Sequence, residues 1–198
     1  MSSRRIGCAG AALLARPGRS RQRPLRREIG TVLVVTYGWR RVDGEVAEIC
    51  DECGFDSRRV TDVIRDLRSV ILAMQGLVDD RNAKRRPQPG VWSAAEYVDH
   101  TIAVVAECCE EVAEAAGVAV GDRPSSCEST LDFLQAFSVA VAGCDLDRVI
   151  IEAPFASIAA TGNLHHGLHD AEHHALDIRR GYATFGLASG VDLHTSNA

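Results

Sequence analysis

Apolar residues recur at spacings of three and four in four segments of the chain. This period is that of a helix with one buried face, so it predicts four amphipathic helices. The predicted helices cover about residues 56–79, 93–117, 128–143 and 161–185. Residues 149–151 form a short apolar run, which we interpret as extended chain because a lone strand has no partner. The pattern therefore predicts an all-α fold, a four-helix bundle with one long crossover connection.

The second predicted helix has the clearest boundaries. Ser93 and Glu96 form the S-x-x-E pattern of a capping box, in which each residue hydrogen-bonds the backbone of the other. Trp92 precedes the box and can staple the helix entry onto the core. Gly117 can end the helix, because glycine readily adopts the left-handed conformation that follows a helix.

The charge of the chain is divided unevenly. Residues 1–41 contain ten arginines and one glutamate, a net charge of +9, whereas the remainder contains 12 basic and 26 acidic residues, a net charge of −14. The composition predicts a disordered basic extension over residues 1–45, a folded domain over residues 46–187 and a flexible tail over residues 188–198. An acidic domain disfavours nucleic acid as its partner, and the absence of a run of about 18 apolar residues argues against a membrane span.

The basic extension has more than one interpretation. It can bind polyanions or act as a targeting sequence, and residues 6–15 weakly imitate a secretory signal. Alternatively, the reading frame was assigned too early and translation begins near Val46, where the ordered pattern starts. The intact mass of the native protein would decide between these interpretations.

Seven cysteines, an odd number, are atypical of a secreted disulfide framework and favour a reducing cytoplasm. Cys50 and Cys53 have the spacing of half a zinc knuckle, but no second cysteine pair with that spacing is present to complete a four-cysteine site. The acidic residues between the two should raise their pKa values, which disfavours a redox role. The pair can complete a metal site with other residues or cap the first helix.

Five of the seven histidines lie within residues 165–174, on the fourth predicted helix. Imidazole is the commonest protein ligand for transition metals, so this segment is the first candidate for chemistry. On a helical wheel, Asp170 and His174 flank the apolar stripe, four residues apart on one face. The wheel places three of the other histidines, His166, His169 and His173, on the face that points to solvent. A polar helix surface rich in histidine is the alternative interpretation.

Two segments together resemble a known family. Residues 86–100, RPQPGVWSAAEYVDH, and residues 168–178, LHDAEHHALDI, are similar to the corresponding motifs of the DinB-like superfamily of metal-binding four-helix bundles. Residues 50–56, CDECGFD, are similar to the start of small actinobacterial members. The resemblance spans about residues 46–187.

The resemblance implies a divalent metal, with zinc or nickel the first expectations, bound by three residues. Matched to the family motifs, the ligands are His100, Asp170 and His174. Asp170 stands where histidine is more usual, and this carboxylate leaves iron compatible as well. The alternative register uses His169 and His173 instead. Glu96 or Asp177 could then orient a ligand imidazole by hydrogen bonding.

Three functions follow from this resemblance. The first is a metal-dependent S-transferase or isomerase, acting on a low-molecular-weight thiol such as mycothiol and an electrophilic substrate that the sequence does not identify. The second is a metal-binding protein without turnover, and the third is a degenerate bundle that has lost the metal. The folded domain is expected to bind neither nucleic acid nor membranes, and a homodimer is compatible with the sequence. Stoichiometric metal in the purified protein would separate the first two functions from the third.

Overall fold

Four α-helices and two small antiparallel sheets form the described part of the chain, residues 37–152 and 157–186 of a computed structural model. The helices are α1, Val63–Val78; α2, Ala94–Ala116; α3, Cys127–Ala140; and α4, Ala160–Thr184. The first sheet pairs β1, Tyr37–Val42, with β2, Glu45–Cys50, and the second pairs β3, Ile150–Glu152, with β4, Ser157–Ala159. A short 3-10 turn, Ser57–Arg59, precedes α1.

The four predicted helices are present, but the prediction of an all-α fold is wrong because four segments pair into two small sheets. The turn between β1 and β2 contains Asp43 and Gly44, with φ of 52° and 93°. Positive φ at both positions is what a two-residue hairpin turn with right-handed strand twist requires. The apolar run after α3, interpreted as unpaired chain, finds a partner in β4, where Ile151 lies opposite Ile158.

Strand β1 lies within the extension that was predicted to be disordered over residues 1–45 and ahead of the predicted start of order near Val46. Residues 1–36 and 187–198 lie outside the described residues. The predictions of a disordered basic segment, a signal-like stretch and a flexible C-terminal tail therefore stay predictions.

The hydrophobic core lies between the helices. α4 packs on α1 and α2, and α3 packs on the same two helices from another side. Gly167 lets α4 approach α2 closely, since a Cβ at this position would lie 3.3 Å from the Sγ atom of Cys108. This close approach brings the polar residues of α4 within reach of α2. No helix in residues 37–152 or 157–186 is both long enough and apolar enough to cross a membrane.

The predicted boundaries of α2 are confirmed. The Oγ atom of Ser93 accepts a hydrogen bond from the backbone N–H of Glu96 at 3.3 Å, and the Glu96 carboxylate accepts one from the backbone N–H of Ser93 at 2.9 Å. Gly117 ends the helix with a φ of 68°. Trp92 packs edge-on against Tyr97, with ring centroids 5.3 Å apart. These contacts fix the first turns of α2, which carry His100.

Replacing Ser93 with alanine is expected to lower the free energy of unfolding by about 1 kcal/mol, because the start of α2 loses its capping hydroxyl. Urea denaturation of the variant and the wild type measures the difference. Ser138→Ala is the matched control, since Ser138 is a partly exposed serine inside α3 that caps no helix. Equal losses in the two variants would contradict a capping role for Ser93.

Candidate metal centres

The long helix α4 buries one apolar stripe and turns its remaining faces toward α2 and the β1–β2 hairpin. The six residues of the predicted stripe are all buried, as expected: Leu164, Leu168, Ala171, Ala175, Ile178 and Tyr182. The histidines and carboxylates of α4 lie on the flanks of this stripe and form four groups with residues from other elements, and several of these groups share a histidine. Two of the groups have no residue in common and are described first.

The first cluster, called the His100 site, consists of His100 on α2 with Asp170 and His174 on α4. The Nε2 atom of His100 lies 3.6 Å from Oδ1 of Asp170, and the Nε2 atom of His174 lies 3.4 Å from the same oxygen. One ligand atom from each residue lies within 4.8 Å of the others. The structure thus brings together the three residues that the family resemblance selected from two distant segments.

Aromatic rings wall the His100 site on one side. The Trp92 ring lies 5.2 Å from the His100 ring, and the Tyr97 ring lies 4.9 Å from the His174 ring, measured between centroids. The His100 side chain nevertheless stays 37% exposed, whereas those of Asp170 and His174 are 19% and 17% exposed. The cluster is therefore partly buried and opens to solvent beside His100.

Asp177 and Glu96, the two residues predicted to orient a ligand, behave differently. Oδ2 of Asp177 lies 3.2 Å from Nδ1 of His174, so Asp177 does orient this ring. The Glu96 carboxylate is engaged by Arg86 and by the backbone and hydroxyl of Ser93. Glu96 thus secures the start of α2, and the prediction that it orients a ligand imidazole finds no support in these contacts.

The charges of the His100 site stabilise one another. Burial opposes a charge on His174, but its contacts with Asp170 and Asp177 outweigh this effect and raise its pKa to about 9. Burial likewise opposes ionisation of Asp170, yet the contact with His174 keeps the pKa of the carboxyl below its usual value. The second oxygen of Asp170, Oδ2, is buried without a hydrogen-bond partner among the described residues. An acceptor in this state suits a cation, because an unsatisfied buried carboxylate oxygen is costly.

The second cluster, called the Cys50 site, consists of Cys50 and Cys53 at the end of β2 with His169 and His173 on α4. One ligand atom from each residue lies within 4.8 Å of the others, and Sγ of Cys50 lies 3.6 Å from Nδ1 of His173. The cysteine pair does not cap α1, which begins after the N-cap Asp62. The residues of the alternative register, His169 and His173, thus belong to a different cluster from His100.

The two thiols of the Cys50 site differ in acidity. Burial disfavours the Cys50 thiolate, but backbone N–H groups of Cys53 and Glu52 and the ring of His169 outweigh this effect and lower its pKa to about 6. Burial and the neighbouring Cys50 raise the pKa of Cys53 to about 12. The expectation that both cysteines have raised pKa values is therefore wrong for Cys50, because hydrogen bonds to its sulfur dominate over the nearby acids.

A buried glutamate of β2, Glu48, joins the hairpin to α4. Its Oε1 atom lies 2.8 Å from Nδ1 of His169 and 3.0 Å from Nδ1 of His166. Phe55 stacks on the His169 ring at 4.9 Å between centroids. The prediction that His169 points to solvent is wrong, since the residue is only 2% exposed beneath the hairpin. Sequence reasoning missed Glu48, and the signal that could have found it is the Asp43–Gly44 turn between two runs of strand-forming residues.

Both clusters offer donors that transition metals accept. The His100 site supplies two imidazole nitrogens and one carboxylate oxygen, a set compatible with zinc, nickel or iron. The Cys50 site supplies two thiolates and two imidazoles, which is a typical zinc set. His173 also lies near Glu52 and Asp177 in a more exposed group that overlaps the Cys50 site. The described residues therefore include groups able to hold a metal ion.

Comparisons with models of protein families, with curated proteins and with solved structures find no match for this chain. The resemblance to DinB-like proteins accordingly rests on the sequence motifs alone.

Proposed function

We propose that this protein binds a divalent metal at the His100 site and uses it in a reaction of a low-molecular-weight thiol, as an S-transferase or isomerase. The observation that carries the proposal is the convergence of His100, Asp170 and His174 around one point, with one buried oxygen of Asp170 lacking a partner among the described residues. Zinc and nickel are the metals we expect first. The thiol, for which mycothiol is the working choice, follows from the DinB-like resemblance.

The number of protein ligands supports a catalytic rather than a structural site. Three ligands with an exposed edge beside His100 leave coordination positions for a substrate, as in catalytic zinc sites. A bound divalent ion would acidify a coordinating thiol and so supply a thiolate at neutral pH. This arrangement suits transfer of a thiol to an electrophile.

The surrounding residues would prepare the site for this role. Asp177 contacts Nδ1 of His174 and thereby directs Nε2 toward Asp170. The rings of Trp92 and Tyr97 restrict the orientation of both imidazoles and limit access of water from one side. Substrate would approach over the exposed edge of His100.

A metal-binding protein without turnover, or a bundle that has lost its metal, is the second candidate. One observation favours the loss of metal, because both ring nitrogens of His174 already have carboxylate neighbours, Asp170 at 3.4 Å and Asp177 at 3.2 Å. Such a network can satisfy a buried imidazolium without an ion. Metal analysis of the purified protein separates a bundle that has lost its metal from a protein that binds one.

His174→Ala is expected to remove one equivalent of bound metal per chain, because the His100 site keeps only two of its three ligands. Elemental analysis after dialysis against zinc or nickel measures the content, and circular dichroism checks that the fold is kept. His165→Ala is the matched control, since His165 lies on the same helix outside every ligand cluster. Equal metal content in both variants and the wild type would contradict metal binding at the His100 site.

Thiol chemistry is tested by adding mycothiol to the cobalt-substituted protein. A thiol that enters the coordination sphere changes the visible spectrum of cobalt, and this change should be absent in His174→Ala. A spectrum unchanged by mycothiol in the wild type would leave metal binding intact and contradict the transferase or isomerase assignment.

A further inference from the structure

We propose that the Cys50 site binds one structural Zn²⁺ through Cys50, Cys53, His169 and His173, and that this ion fastens the β1–β2 hairpin to α4. The inference is independent of the proposed function, since it concerns other ligands and a closed rather than an open site.

The ligand types and their spacing fit zinc. The cysteines are separated by two residues and the histidines by three, and structural Cys₂His₂ sites use such spacings. A zinc–sulfur bond of roughly 2.3 Å and a zinc–nitrogen bond of roughly 2.1 Å at a tetrahedral angle place the two ligand atoms about 3.6 Å apart. The observed distance from Sγ of Cys50 to Nδ1 of His173 is 3.6 Å.

The backbone around the two cysteines forms a tight turn whose N–H groups favour charged sulfur. The N–H groups of Glu52 and Cys53 lower the pKa of Cys50, and the N–H of Phe55 acts in the same direction on Cys53, although burial outweighs it there and raises the pKa. Gly54 makes this tight turn possible with a φ of 82°, and its own N–H donates to the carbonyl of Cys50 at 2.9 Å. Amide donors directed at sulfur stabilise the negative charge that a metal-bound cysteine carries.

His169 has a carboxylate at hydrogen-bond distance from the ring nitrogen that faces away from the cluster, and His173 has two carboxylates somewhat farther from its outer ring nitrogen. Nδ1 of His169 contacts the buried Glu48 at 2.8 Å, so Nε2 is its ligand atom. Nδ1 of His173 faces Cys50, while its Nε2 lies 3.8 Å from Asp177 and 4.0 Å from Glu52. Metal-binding histidines usually have this arrangement, because the carboxylate fixes the tautomer and the ring orientation.

Burial and ligand number indicate a structural role. Cys50 is 1% exposed and His169 is 2% exposed, and Phe55 covers the His169 ring. Four protein ligands complete the tetrahedral coordination of zinc and leave no position for a substrate. The end of β2 and the turn after it supply two ligands and α4 the other two, so the ion would join segments more than a hundred positions apart in the sequence.

The test is cobalt titration of the reduced wild-type protein together with zinc analysis of variants. The expected result is the strong visible absorption of tetrahedral cobalt with a thiolate charge-transfer band. This band should persist in His174→Ala and disappear in Cys53→Ser, and Cys53→Ser should also lose one equivalent of zinc. Glu48→Gln should weaken zinc binding by about 10- to 100-fold, since the His169 ring loses its carboxylate partner.

Cys144→Ser is the matched control, because Cys144 is a partly exposed cysteine outside the ligand clusters. The proposal is overturned if the wild type shows no thiolate charge-transfer band, or if Cys53→Ser keeps the zinc content of Cys144→Ser. A Cys50–Cys53 disulfide that persists under reducing conditions would overturn it as well. The thiolate band in the wild-type titration tests the Cys50 site even if Cys53→Ser does not fold. Loss of metal from the His100 site alone would leave this band unchanged.

Discussion

Glu48→Ala is expected to lower the free energy of unfolding by about 3–5 kcal/mol, the cost of removing one partner from a buried charged pair. The Glu48 side chain is 1% exposed, and its carboxylate contacts both His166 and His169. Without the Glu48 carboxylate, the His169 ring stays buried against Phe55, and its Nδ1 atom has neither this hydrogen-bond partner nor water in its place. Urea denaturation at a fixed zinc concentration measures the loss, because ligand binding contributes to apparent stability.

Two further variants make this prediction specific. Glu48→Gln keeps the shape and one acceptor oxygen, so it should cost less than Glu48→Ala. Glu107→Ala removes an exposed carboxylate from α2 and should change stability by no more than about 0.5 kcal/mol. If Glu48→Ala were as mild as Glu107→Ala, the contacts of Glu48 with α4 would not stabilise the fold.

Phe137→Ala is expected to cost about 3–5 kcal/mol through the cavity that it leaves in the core. Phe137 is fully buried on α3 and belongs to neither metal cluster. The variant should therefore lose stability while its cobalt spectrum stays that of the wild type. Denaturation and cobalt titration of the same preparation measure both quantities.

Val139 offers the matched control for the core prediction. It lies on the same helix but is 69% exposed, so Val139→Ala should leave stability within about 0.5 kcal/mol of the wild type. A loss in Phe137→Ala no larger than that of Val139→Ala would contradict the packing of α3 described above. A changed cobalt spectrum in Phe137→Ala would instead show that the core and the metal clusters are not independent.

The helices could be predicted from the sequence because their signals are local. The period of apolar residues located all four, and the Ser93–Glu96 box and Gly117 fixed both ends of α2. The start of α1 was placed too early, since a 3-10 turn capped by Asp56 precedes the true N-cap, Asp62. Asp56 and Asp62 are both suitable capping residues, so the sequence signal is the same at the two positions. The packing of the chain decides that the longer helix begins after Asp62.

The strands were missed for two different reasons. The β1–β2 hairpin carries a local signal, the Asp43–Gly44 turn, but it lies beside an arginine-rich segment whose composition favoured disorder. The β3–β4 sheet depends on the pairing of residues 150–152 with residues 157–159, and short apolar runs do not reveal their partners. Both sheets are small, so their apolar periodicity is weak.

The candidate sites could be predicted only in part. The helical wheel selected Asp170 and His174, which share one face of α4, and only the DinB-like resemblance pointed to His100. The wheel failed for His169, because periodicity cannot show that a hairpin from a distant part of the chain covers the opposite face. The assembly of Cys50 and Cys53 with His169 and His173 is likewise a long-range contact.

Consecutive residues of α4, His173 and His174, belong to different centres and have Asp177 as a common neighbour. One oxygen of Asp177 lies 3.8 Å from His173 and 3.2 Å from His174, so it cannot approach one ring without moving relative to the other. If both proposed sites bind an ion, the shared contact with Asp177 would link their occupancies thermodynamically. Whatever factor an ion at one site imposes on the affinity of the other site, an ion at the other site imposes in return, so the affinity measured at each site would depend on whether the other is occupied.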